Sequence, residues 1–277
     1  MLMERLGKIF CSLLIVAAPL CLPGIAAQTK PSAQTIDATI AEMIGKINGR
    51  GSMSMGGDEE VHHLDARLLA YVEKNVLPDA RFLSTPLPNS ENVGLKKVAS
   101  KDGNVCFYSW DTWTGGTMHF YVDLVQWKGS SGVHWQKIHP LGNDGAGECG
   151  YFYHDVHSVR TADGKTIYMP TYRAIYSGPE HEDSVTAYEI SGDKFIKVQA
   201  FQTPKKALDT IDVPASENAW DDNDLIYFED NEQTLLIPIT TKDRQVTGKF
   251  LSYRFNGTKY VFDPKAHEKP TAAQLAK

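Results

Sequence analysis

The second half of this chain repeats itself, and that repetition narrows its fold more than any other feature. Thr166-Ile167-Tyr168-Met169-Pro170 recurs 68 positions later as Thr234-Leu235-Leu236-Ile237-Pro238. Residues 187–195 (AYEISGDKF) recur 65 positions later as residues 252–260 (SYRFNGTKY). Turn residues precede each first segment, Asp163-Gly164 in one copy and Asp230-Asn231 in the other. A fainter copy lies upstream, where Asp102-Gly103 precedes an apolar run at 105–110, and residues 120–127 lead through a Gly-rich turn to 133–138. Asn256-Gly257 is the strongest hairpin signal, because both central residues of a type I′ turn need positive φ. Each unit therefore reads as strand, tight turn, strand, longer loop, strand, tight turn, strand, over residues 95–139, 157–202 and 225–263. A meander of four strands repeated radially is a propeller blade, although three blades are fewer than the usual minimum of about four. The expected fold is mainly β: about three antiparallel four-stranded meander units, propeller-like or closed as a small barrel or sandwich, in a β-repeat domain over 83–264.

Two helices should precede this body, in a segment spanning 36–82. Ile36, Ile40, Met43, Ile44 and Ile47 fall at helical spacing, as do Val61, Leu64, Leu68, Tyr71 and Val72. Between them residues 48–57 (NGRGSMSMGG) read as a flexible loop. Asp58 is placed to cap the second helix, with Glu59 and Glu60 in its first turn, and Pro78 ends it. Residues 28–35 read as a disordered lead-in and residues 265–277 as a tail.

The N-terminus reads as an export signal. Arg5 and Lys8 precede a mostly apolar run over residues 9–22, followed by Pro23-Gly24 and a small-residue boundary at Ala26-Ala27. The run is shorter than the roughly 20 apolar residues of a membrane span and is broken by Pro19. Cleavage after Ala27 removes Arg5, Lys8 and Glu4, which moves the net charge from −6 to −7. An acidic body is a poor binder of nucleic acid, because neutralising phosphate needs clustered Lys and Arg. No later apolar run reaches spanning length. The expected location is the periplasm or the exterior. Cys106 and Cys149 survive cleavage, and an even pair in an oxidising compartment reads as a disulfide.

Three segments could bind something. In residues 109–118 (SWDTWTGGTM), Trp110, Asp111 and Trp113 end a strand and enter a Gly-rich loop. Alternation puts Trp110 with Cys106 on one face and Phe107 with Ser109 on the other. The tryptophans are either core or an aromatic platform suited to a sugar or a partner chain. This segment resembles one found in uncharacterised exported β-repeat proteins of Gram-negative bacteria, in which a strand ends in S-W-D and a G-G-T-M loop follows. That resemblance implies no activity. The second segment holds His154, Asp155 and His157 at the entrance to the second unit, with Asp155 and His157 on one face and His154 on the other. The third is its counterpart 67 positions on, Asp221, Asp222 and Asp224 beside Trp220. Lys96 holds the equivalent place in the first unit. The histidines supply too few ligands for zinc, and the acidic run lacks the spacing of a calcium loop, so no metal or cofactor is implied.

No nucleophile elbow, phosphate loop or H-E-x-x-H motif occurs. The expected function is therefore an exported soluble binding protein of the cell envelope. Its loop tips would hold a protein or glycan partner, including a toxin or hydrolase that it inhibits. The alternatives are an envelope polysaccharide hydrolase working through loop carboxylates and a structural envelope component.

Overall fold

A computed structural model describes residues 30–54, 59–138, 149–216 and 225–268. Residues 1–29, where the sequence predicts an export signal, lie outside the described residues, as do Asp58, Trp220, Asp221, Asp222 and Asp224. Among the described residues the fold is mainly β, 45% strand and 21% helix, with several antiparallel sheets, none of them closed.

Three helices come first: α1 (Ala33–Ser54), α2 (Glu59–Asn75) and the single turn α3 (Pro88–Glu91). α1 begins within the expected lead-in because the Ser32 hydroxyl accepts the Thr35 N–H at 3.1 Å and so caps it. α1 also continues through Asn48–Ser54, where the Gly-rich composition predicts a loop. Tertiary contacts override the weak local propensity there: Asn48 donates through its Nδ2 to the Val93 carbonyl at 2.7 Å, and Gly51 is buried against Trp113. Asp37 fastens α1 to α3, accepting the Ser90 N–H at 2.9 Å and the Asn89 N–H at 3.1 Å.

The strands form three four-stranded antiparallel meanders. The first comprises β1 (Lys96–Ala99), β2 (Val105–Asp111), β3 (Tyr121–Lys128) and β4 (Val133–Lys137). In the second, β5 (Phe152–Arg160) pairs with β6 (Thr166–Ile175). The third strand is split into β7 (Glu180–Thr186) and β8 (Tyr188–Ser191), followed by β9 (Lys194–Lys197). Two short strands, β10 (Phe201–Gln202) and β11 (Ala207–Leu208), precede β12 (Thr210–Ser216), which returns to pair with β7. The last meander is β13 (Tyr227–Glu229), β14 (Thr234–Thr240), β15 (Val246–Phe255) and β16 (Tyr260–Glu268), with β10 added in parallel to β16. Phe201–Gln202 thus joins the third sheet rather than closing the second unit.

The second and third meanders share one strand order, but their registers differ by one residue. Tyr168 pairs with Tyr188, whereas Leu235, the counterpart of Ile167, pairs with Tyr253, the counterpart of Tyr188. The second unit also starts earlier than expected, so His154, Asp155 and His157 lie inside β5 and not before it.

Alternation turns these meanders into layers. On β2, Cys106, Tyr108 and Trp110 pack under the helices, while Val105 and Phe107 pack against Tyr153, Tyr168 and Tyr188 of the second meander. On β6, Ile167 and Met169 turn the other way, onto Leu235, Ile237 and Tyr253 of the third. One extra residue in β5, between the Tyr153 and Asp155 pairs, changes the facing pattern partway along that strand.

The tight turns within each meander meet their neighbours at one end. The Asp193 carboxylate accepts the Ser131 N–H at 2.8 Å, joining the first and second meanders. The Ala162 N–H donates to the Gly257 carbonyl at 2.7 Å, joining the second and third. Lys101 pairs with Glu232 at 2.5 Å, joining the first and third.

The expected disulfide is absent: Cys106 and Cys149 are both buried and not bonded to each other. The Cys149 carbonyl accepts the Tyr121 N–H at 2.8 Å, and Tyr121 pairs with Asp111, five residues along β2 from Cys106. At roughly 3.3 Å per residue that is about 16 Å of strand, against the roughly 7 Å a disulfide spans between Cα atoms. An even cysteine count reports compartment logic and carries no information about this separation.

Candidate functional site

The free end of the assembly, opposite the interlocked turns, carries the loop between β2 and β3. Asp111 closes β2, and its Oδ1 accepts the Trp113 N–H at 2.8 Å, which folds the chain back on itself. Trp113 adopts φ 55°, the left-handed region that a bulky residue enters only when its surroundings hold it. The hold is visible: the Trp113 Nε1–H donates to Asn48 Oδ1 at 2.8 Å, and the ring lies on Gly51, where a Cβ would come within 2.2 Å of Trp113 Cβ. Gly115 is required for a similar reason, since a Cβ there would meet the Met118 carbonyl at 2.1 Å. The second oxygen of Asp111 meets His119 Nδ1, and His119 is itself tied to β6 through its N–H and the Ile175 carbonyl at 3.2 Å.

These anchors set up a row of rings. Trp113 meets His119 edge-on at 6.1 Å, His119 stacks with Tyr121 at 6.2 Å, Tyr121 meets Phe152 at 6.0 Å, and Phe152 meets His154 at 5.2 Å. Lys96 Nζ stands over the Phe152 ring, 4.5 Å from its centroid. Three hollows follow the row. One of about 440 Å³ lies between the 115–118 loop, Ser52 and His119. The next, about 190 Å³, shares Asp111 and Trp113 with the first and adds Lys96 and Phe152. The third, about 500 Å³, shares Lys96 and Phe152 and runs between β1 and β5 to Asp155. Shared walls make them one groove, apolar and ring-lined in its first two hollows and more polar in the third, where Glu91, Lys96, Lys97, His154 and Asp155 gather. Met118 and Tyr176, which flank the His119–Ile175 link, are both more than a third exposed.

The expected binding residues divide. Asp111 and Trp113 each line two of the hollows, whereas Trp110 borders only the smallest. It is 1% exposed, packs in the helix-facing core and donates from Nε1 to Asp65 Oδ1 at 2.7 Å. Burial raises the Asp65 carboxyl, and the Trp110 hydrogen bond only partly opposes that. His154 and Asp155 line the far end of the groove. The His154 ring continues inward, with Nε2 3.7 Å from Asp183 Oδ1. Asp183 also receives Arg173 Nε at 2.8 Å and Nη2 at 3.0 Å. Burial works to raise Asp183, but His154 and Arg173 outweigh it and hold the carboxyl below its ordinary value.

His157 leaves the groove altogether. Its ring stacks on Phe228 at 4.0 Å, and its Nδ1 lies 3.6 Å from Glu232 Oε1. The turn bearing Glu232 has three consecutive left-handed residues, Asp230, Asn231 and Glu232, at φ 54°, 54° and 66°. His157 and Glu232 therefore belong to the interlocked end, while Asp155 lines the groove. His157 and Asp155 share a face, with His157 Nε2 3.9 Å from Asp155 Oδ2, but their other partners differ. Among the described residues no group of three or more His, Cys, Asp or Glu is arranged to hold a metal.

Sequence reasoning missed His119, Tyr121 and Phe152, and noted Lys96 only as a repeat position. His119 follows the G-G-T-M loop directly, which is the one local hint. No protein-family model, curated protein or solved structure matches this chain. Among the described residues no helix is long and apolar enough to cross a membrane.

Proposed function

We propose that this chain is an exported binding protein of the cell envelope, and that its groove holds an extended glycan. The observation that carries the reading is the row of rings from Trp113 to Phe152 along three adjoining hollows. Sugar rings present apolar C–H faces to aromatic side chains, and their hydroxyls take hydrogen bonds from groups at the ring edges. Export rests on the N-terminal pattern of charge, apolar run and small residues. The resemblance of residues 109–118 to exported β-repeat proteins is consistent with it. The meanders are read as three blades of a radial fold, interlocked at one end and open to ligand at the other, an arrangement in which loops at the free end supply the binding surface.

A hydrolase reading is weaker. Both oxygens of Asp111 are engaged, by the Trp113 N–H and by His119, which makes it a positioning group and not a proton donor. The test is a screen of purified envelope glycans against the protein, with Trp113→Ala and Phe152→Ala as groove variants and Asp163→Ala at the interlocked end as control. Binding should fall in the first two and persist in the third. Cleavage of a bound glycan would favour the hydrolase. Equal binding by all variants would remove the groove from consideration.

A further inference from the structure

We infer that the glycan carries a carboxylate, and that Lys96 is the residue that pairs with it. This rests on the groove reading and names the ligand class within it.

Lys96 opens β1 and lines two of the three hollows, which places its ammonium at the Phe152 end of the row of rings, where the second and third hollows meet. Two lysines line the groove: Lys97 has its ammonium over the Tyr108 ring at 5.7 Å and borders one hollow, and Lys96 borders two. Lysines such as Lys101, Lys137 and Lys165 pair with carboxylates. Lys96 does not. Among the described residues its ammonium meets the Phe152 ring and no carboxylate. Each acid around the groove has at least one oxygen engaged by another group. Asp111 is held by Trp113 and His119, Asp155 Oδ1 accepts the Val156 N–H at 2.7 Å, and Glu91 Oε1 accepts the Leu87 N–H at 3.0 Å. A half-buried cation held over a ring face, with no carboxylate paired to it among the described residues, is a preorganised receptor for an anion. The anion must sit on a ligand whose remainder stacks on rings, which describes an acidic sugar. Its carboxyl could belong to the sugar ring, as in a uronate, or to a lactyl or peptide arm on an amino sugar.

Isothermal titration of the purified protein with three probes tests this. The probes are tetragalacturonate, its fully methyl-esterified form, and a disaccharide-tetrapeptide released from peptidoglycan. At least one acidic probe should bind. Tetragalacturonate binding alone assigns the carboxyl to the ring, and disaccharide-tetrapeptide binding alone assigns it to the arm. Lys96→Met should weaken that binding about 10- to 100-fold, the range for a charge-assisted contact, while Lys96→Arg retains most of it. Where tetragalacturonate binds, esterification should cost as much as Lys96→Met, and the two losses should not add. Thermal melts of the variants confirm that they fold. If Lys96→Met binds the acidic probe as tightly as the parent while Trp113→Ala does not, the carboxylate inference fails and the groove reading stands. If no probe binds, or if Trp113→Ala binds as the parent does, both fail.

Discussion

Two glycines in α1 should respond to alanine with opposite signs. At Gly45 an added Cβ meets nothing within 4 Å. Replacing glycine with alanine in an exposed helix interior removes a backbone-entropy cost and should stabilise by about 1 kcal/mol. At Gly51 the same helical gain applies, but the Cβ would stand 2.2 Å from Trp113 Cβ and 2.6 Å from its Cγ. Those atoms lie next to the backbone, so the indole cannot swing aside and the 112–114 segment must shift. Overpacking of this kind costs about 1–3 kcal/mol. The displaced ring also risks its 2.8 Å hydrogen bond to Asn48, worth about 1 kcal/mol. Gly51→Ala should therefore lose about 1–3 kcal/mol net, a fall of very roughly 3–10 °C in Tm for a body of this size. Gly45→Ala should gain a few degrees. Circular dichroism melts report stability, and tryptophan emission reports the Trp113 environment. A Gly51→Ala protein as stable as Gly45→Ala, with unchanged emission, would refute the claim that α1 and the β2–β3 loop are locked together.

Other consequences concern the acids and the thiols. Burial raises the Asp65 carboxyl above its ordinary 3.8, so its contribution to stability is present below that pH and is lost as pH rises through the folded value. Asp65→Asn keeps an oxygen for Trp110 and should be at least as stable as the parent at pH 7, with the gap closing in acid melts. Asp193 behaves in the opposite sense. The Ser131 N–H and the Ser130 and Ser131 hydroxyls hold its carboxyl well below 3.8, so it stabilises above that pH and less as pH falls through the folded value. Asp193→Ala should melt earlier than the parent at pH 7 and converge with it in strong acid. Cys106 and Cys149 should both react with an alkylating reagent in denatured, unreduced protein, as peptide mapping would read, and resist it in the native state.

The meanders are legible in the sequence because strand turns are local chemistry. Asn256-Gly257 and Asp163-Gly164 announce hairpins wherever they occur, and alternation correctly assigns Cys106 and Trp110 to one face of β2 and Phe107 to the other. Alternation also leaves Trp110 and Trp113 open between core and platform, and the structure divides them. Trp110 is inside the strand, buried and bordering only the smallest hollow, whereas Trp113 lies beyond the strand end and lines two of the three. The remainder of the site depends on distance in space. Lys96, His119 and Phe152 come from β1, a loop and β5, and nothing in their local sequence signals that a ring row joins them. The end of α1 is misread for the same reason: Gly49 and Gly51 look like a turn until Trp113 is seen to need the space one of them leaves.

The central claim is that ligand enters the ring-lined groove at the free end. Hydrogen–deuterium exchange, with and without a saturating glycan that binds in the screen, tests it most directly. The account predicts slowed exchange in residues 94–98, 111–121 and 151–155, with residues 161–165, 191–194 and 256–259 at the interlocked end unchanged. Protection confined to those turns, or to the exposed Trp135 and Ile196 strands β4 and β9, would contradict it.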